Sequence, residues 1–116
     1  AYARLGEGNG GVRTRQNLGL LAIAQGRWSV ARRLLEQSLA DAERQQMVEE
    51  AAVSRRNLAE LALWQGHPVQ AIAQAQQAEA SFRSREDARG VADAGLLRAQ
   101  AQLDLQQLDQ AAATLD

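Results

Sequence analysis

Asn57-Leu58-Ala59-Glu60-Leu61-Ala62-Leu63-Trp64-Gln65-Gly66 restates, forty positions on, Asn17-Leu18-Gly19-Leu20-Leu21-Ala22-Ile23-Ala24-Gln25-Gly26. Carried on to Ala31 and Ala71, the two stretches agree at seven of fifteen positions. An alanine-rich chain yields some coincidences, so the weight falls on the Asn-Leu and Gln-Gly steps, which composition does not explain. A third, fainter copy follows at the next forty-residue step in Ala99, Ala101, Leu103, Leu105 and Ala111, with Gln106 in place of the glycine. A fixed period of this size marks a stacked array of like units, each too small to bury its apolar face alone.

Each unit divides at its Gln-Gly step, because glycine enters the left-handed conformation that ends a helix and lets the chain reverse. Pro68, two residues after Gly66, suits the first turn of the next helix, where its missing N–H has no partner to lose. The spacing predicts helices at about 11 to 25, 28 to 45, 48 to 65, 68 to 84, 86 to 105 and 108 to 116, making three helical hairpins. Trp28, Ala31, Leu35, Ser38, Leu39 and Ala42 form one stripe at helical spacing, and Ala71, Ala75, Ala78 and Phe82 repeat it. One small residue per helix recurs twelve positions apart: Gly19 with Ala31, Ala59 with Ala71, Ala99 with Ala111. These couples are the expected close contacts inside the hairpins.

Composition agrees with an all-α fold. Alanine (24), leucine (16) and glutamine (15) make up nearly half of the 116 residues, while strand formers are scarce. Cysteine is absent, which excludes a disulfide framework, a thiolate metal site and a cysteine nucleophile. All thirteen basic residues are arginine, and fourteen carboxylates bring the net charge to −1, so nothing calls for a nucleic-acid partner. With no long apolar run and no secretory leader, the chain is expected to be cytoplasmic, without a membrane partner.

No residue set points to catalysis, a cofactor or a metal. His67 follows the Gly66 turn without a second histidine or a cysteine nearby. Glu49-Glu50 and Glu86-Asp87 are sequence neighbours that point about 100° apart on a helix, suited to helix starts rather than to sharing a proton. Gly6, Gly8, Gly10 and Gly11 lack the strand before and the Lys-Ser/Thr after that a phosphate loop requires; they read as a linker or a frayed terminus. Trp28 reads as seam packing, and Trp64 as either a binding anchor or packing on the next hairpin.

Leu18-Gly19, Gln25-Gly26, Trp28, Ala31 and Leu35, with Leu58-Ala59, Gln65-Gly66, Ala71 and Ala75, resemble the tetratricopeptide repeat over residues 11 to 116. They are similar in particular to the long-period variety of bacterial signalling and regulatory proteins. Departures are Arg15 and Arg55 at the usual tryptophan, Ala22 and Ala62 at the usual tyrosine, a missing closing proline, and a forty-residue period.

The resemblance implies a right-handed α-solenoid of about three antiparallel hairpins, with copies at 11-47, 48-87 and a truncated 88-116, cut from a longer array. It implies a non-enzymatic scaffold that binds a protein or peptide on a concave face. Groove positions carried over are Arg13, Gln16, Leu20, Ile23 and Ala24; Val53, Arg56, Glu60, Leu63 and Trp64; and Asp93, Leu96, Gln100, Leu103 and Asp104. The expected groove runs along an apolar midline from a basic end at Arg13 and Arg56 to an acidic end at Asp93 and Asp104. Leu20 and Glu60 replace the asparagine that a carboxylate clamp would need. A ligand-responsive sensory domain and a self-assembly module, joined through uncapped ends, are the alternatives.

Overall fold

The structure, a computed structural model, describes residues 9–115. They fold into five helices: α1 (Asn9–Ala24), α2 (Trp28–Arg44), α3 (Val48–Trp64), α4 (Pro68–Ser84) and α5 (Ala88–Leu115). No strand occurs among the described residues. Helices α2 to α5 begin at twenty-residue intervals, so the backbone repeats at half the period of the sequence.

The reason is that all four connectors, at residues 25–27, 45–47, 65–67 and 85–87, are one motif. In each, the residue after the helix cap takes a positive φ: Gly26 and Gly66 at 74°, Gln46 at 58° and Glu86 at 56°. The next amide reaches five residues back, the 6→1 bond of a Schellman turn, as in Arg27 N–H to Ala22 O and Met47 N–H to Ala42 O, both 2.8 Å. Gln46 and Glu86 adopt without glycine a conformation that costs an ordinary residue about 1–2 kcal/mol. The packing of the helices they join offsets that cost. Asp87 adds a true cap, its Oδ1 accepting the Gly90 N–H at 2.9 Å.

At Gln106 the expected third turn does not form, and the helices predicted at 86 to 105 and 108 to 116 are one 28-residue helix. The stretch after Gln106 packs on nothing: Leu108, Ala111, Ala112 and Ala113 are exposed. No burial there offsets a left-handed glutamine, so the helix continues. The couple Ala99 and Ala111 accordingly lies along a single helix, with both residues exposed. At the other end Gly10 and Gly11 are helical, not linker, while Gly6 and Gly8 fall outside the described residues.

Successive helices pack as hairpins, and α1 also meets α3, which meets α5, whereas α2 and α4 stay apart. Thus α3 is central and touches every other helix. The expected stripes are inside: Ala31, Leu35, Ser38 and Ala42 on α2, and Ala71, Ala75, Ala78 and Phe82 on α4. Gly19, Ala59 and their partners Ala31 and Ala71 are also buried. A β-carbon on Gly19 would stand 2.7 Å from Leu35 Cδ2, so this glycine is required by close approach. The joint between α4 and α5 is polar as well as apolar. Arg98 Nε donates to Glu79 Oε1 at 2.8 Å, and this bond, with the charges of Arg98 and Arg83, holds the Glu79 carboxyl below its ordinary pKa against the opposing effect of burial.

Candidate functional site

The last turns of α1 and α3 stand side by side, and the Gly26 connector swings the start of α2 around to meet them. Between them opens a cavity of about 530 Å³ lined by Leu20, Ile23, Ala24, Gln25, Gly26, Trp28, Glu60 and Trp64. Two tryptophans therefore share one pocket. Trp64 is 66% exposed, a large apolar side chain left facing water. Trp28 is half-buried, packed against the core cluster of Ala22, Ile23, Ala31, Leu35, Leu58 and Leu61. It is thus both seam and pocket wall. Sequence reasoning gave it only the first role, although a tryptophan two residues after a chain-reversing glycine sits beside the helix end the chain has just left.

Glu60 is the pocket's single carboxylate. Its Oε1 accepts from Arg56 Nη1 at 3.1 Å, while Arg56 Nε donates to Asp93 Oδ2 on α5 at 2.9 Å. Apolar walls with one anionic group at the rim suit a side chain that is apolar along its length and carries a donor or positive charge at its tip.

Of the predicted groove, Leu20, Ile23, Ala24, Glu60 and Trp64 come together here. The rest do not extend it. Gln16 is buried, with Nε2 donating to Glu50 O and Ser54 Oγ, both at 3.0 Å, because it bridges α1 to α3. Ile23 borders the cavity chiefly from within the core. Half-buried Val53 packs on the Ala52, Ala78, Phe82 and Ala94 cluster, and Leu63 on Ala62, Ala71 and Ala101.

The expected separation of a basic from an acidic end is overturned. Arg13 pairs with Glu50 at 3.3 Å, and Arg56 with Asp93, so positive and negative groups neutralise each other across neighbouring helices. Asp104 Oδ1 accepts from Gln100 Nε2 along α5 at 2.9 Å. Leu96 and Leu103 are exposed on α5 and line none of the pocket around Trp64.

A second depression, about 410 Å³, lies between α2 and α4 over a floor of Leu58, Leu61 and Ala62. Its walls are largely polar, with Arg32, Glu36, Gln70 and Gln74, and Arg32 Nη2 is already engaged by Gln65 Oε1 at 2.6 Å. Among the described residues no three His, Cys, Asp or Glu side chains are grouped to hold a metal ion, and no helix is long and apolar enough to cross a membrane. Arg83 bonds Glu79 along α4, Asp87 caps α5, and Asp93 takes Arg56. Comparison with protein-family models, curated proteins and solved structures finds no match.

Proposed function

We propose that this chain is a peptide- or protein-binding module whose anchor site is the two-tryptophan pocket between the ends of α1 and α3. On this reading the helices form a right-handed stack of the tetratricopeptide type. The contact of α1 with α3 and of α3 with α5, while α2 and α4 stay apart, supports that arrangement. The observation that carries the function is the exposure of Trp64 at a cavity walled by Leu20, Ile23 and Trp28, since tryptophan is enriched among the residues that anchor interfaces. The pocket selects a bulky apolar residue followed by, or ending in, a positively charged group, with Glu60 as its counterion.

Panning a random peptide display library against the chain tests this. Enriched peptides are expected to share an apolar residue next to arginine or lysine and to lose about thirtyfold or more in affinity for Trp64→Ala, a hot-spot-sized effect. No enrichment, or enriched peptides indifferent to Trp64→Ala at unchanged helicity, would contradict the proposal.

A further inference from the structure

Arg56 stands between two carboxylates, and the way it divides its donors decides how much negative charge reaches the tryptophan pocket. Asp93 of α5 takes the broad side of the guanidinium, with Nε donating to Oδ2 at 2.9 Å and Nη2 to Oδ1 at 3.4 Å. Glu60 receives Nη1 alone, at 3.1 Å, and Nη1 also donates to Oδ1 of the buried Asn57 at 3.2 Å. A two-pronged pair is the stronger of these arrangements, so Asp93 answers most of the positive charge. Glu60 Oε2 has no hydrogen bond among the described residues. The three side chains together carry one net negative charge, and Glu60 is the member that lines the cavity.

We infer that Arg56 and Asp93, neither of which lines the pocket, set its preference for positively charged ligands; this rests on the pocket being the anchor site proposed above. Without Asp93 the guanidinium turns wholly to Glu60 and cancels it, and the pocket presents only apolar walls. Without Arg56 two uncancelled carboxylates stand near the rim. The selectivity of a pocket built by α1, α2 and α3 thus depends on a residue of α5, 37 positions from its partner. Complementary charge of this kind chooses among ligands more than it adds affinity.

Quenching of Trp64 fluorescence by caesium and by iodide, at constant ionic strength, measures this charge without any bound ligand. Trp28→Phe leaves Trp64 as the single tryptophan of the chain. Glu60 lies one helical turn before Trp64, so one unit of charge there is expected to move the ratio of caesium to iodide quenching about twofold. Asp93→Asn should lower the ratio, Arg56→Gln should raise it, and the double variant should return it toward the parent. Glu49→Gln removes the same charge from the start of α3, about 22 Å along the helix from Trp64, and as the control leaves the ratio unchanged. A purely structural role for Arg56 and Asp93 would move both ions and neutral acrylamide alike. An unchanged ratio in Asp93→Asn, or a double variant no nearer the parent than the single ones, would overturn the inference. Should Arg56→Gln lose helicity, Asp93→Asn and Glu60→Gln decide it, since both must lower the ratio. Peptides from the panning separate the two proposals. Their preference over copies with glutamine in place of the basic residue, about threefold, should vanish in Asp93→Asn while their dependence on Trp64 persists. A preference that Asp93→Asn leaves unmoved overturns the inference and spares the pocket, whereas indifference to Trp64→Ala overturns both.

Discussion

Forty residues apart, Gly19 and Ala59 hold the same place in the two hairpins but meet different partners. Gly19 lies under Leu35, whose branch leaves no room for a β-carbon. At the position equivalent to Leu35 the second hairpin has Ala75, fully buried, and there the first helix carries the methyl of Ala59. Volume has moved from one side of the contact to the other. The next layer differs in kind. Ser38 Oγ and Ser54 Oγ lie 2.8 Å apart at the first joint, within reach of Gln16. The equivalent residues at the second joint are Ala78 and Ala94, buried beside Phe82. The lesson is that the connectors and the helix lengths define the backbone repeat, while each layer of side chains needs only to be complementary within itself.

The largest expected effect follows from that exchange. Leu35→Ala should destabilise the chain by about 2–5 kcal/mol in urea unfolding, by loss of burial and the cavity left behind. In a Gly19→Ala background the cost should be smaller, because the added methyl occupies part of that cavity; full additivity would show that the two residues do not share one contact. The reverse transplant is next. Ala75→Leu alone should overpack the second hairpin by about 1–3 kcal/mol, and Ala59→Gly should recover part of that loss. Thermal melts of the single and double variants measure it, and no recovery would mean that the hairpins are not equivalent.

The connectors sharpen the comparison at a finer scale. Gly26→Ala and Gly66→Ala meet no atom within 4 Å, so their expected cost, about 1–2 kcal/mol, is backbone conformation alone. Gln46→Gly and Glu86→Gly relieve a left-handed residue and should stabilise the chain, by at most about 1 kcal/mol because of the freedom glycine gives the unfolded chain, a gain that thermal melts would show as a higher melting temperature. Smallest is a pH effect confined to the second joint. Because the folded Glu79 carboxyl titrates below its unfolded value, its contribution is present above the ordinary carboxylate range and is lost as the pH falls through the folded pKa. The gap between melts of the parent and of Glu79→Gln should therefore narrow as the pH falls from the ordinary carboxylate range through the folded pKa, and a gap that is constant with pH would remove the carboxylate from the account.

The parts of the fold that depend on local chemistry were legible in the sequence. Gly26, Gly66 and Pro68 marked their turns, and helical spacing placed Leu35, Ala71 and Phe82 in the core. The turns at Gln46 and Glu86 were placed by the period, since no residue there asks for a left-handed conformation. The same reasoning failed at Gln106, where forming a turn depends on what packs afterwards, and Leu108 and Ala111 find nothing. At the site, Trp64 and Leu20 were named by the register of the resemblance, and the structure sets both on the wall of one cavity. The charge pattern was misread because Arg56 and Asp93 are 37 residues apart, and only the fold shows that they neutralise each other. Gln16 was misread for a similar reason: a polar residue on a helix face looks solvent-bound until a neighbouring backbone carbonyl and hydroxyl receive it.

Hydrogen–deuterium exchange of the chain with and without a peptide enriched by panning tests the central claim most directly. The account predicts added protection around residues 20–28 and 60–66, the ends of α1 and α3 and the start of α2. Protection confined instead to α2 and α4, over the floor of Leu58 and Leu61, would place binding on the opposite side and contradict it.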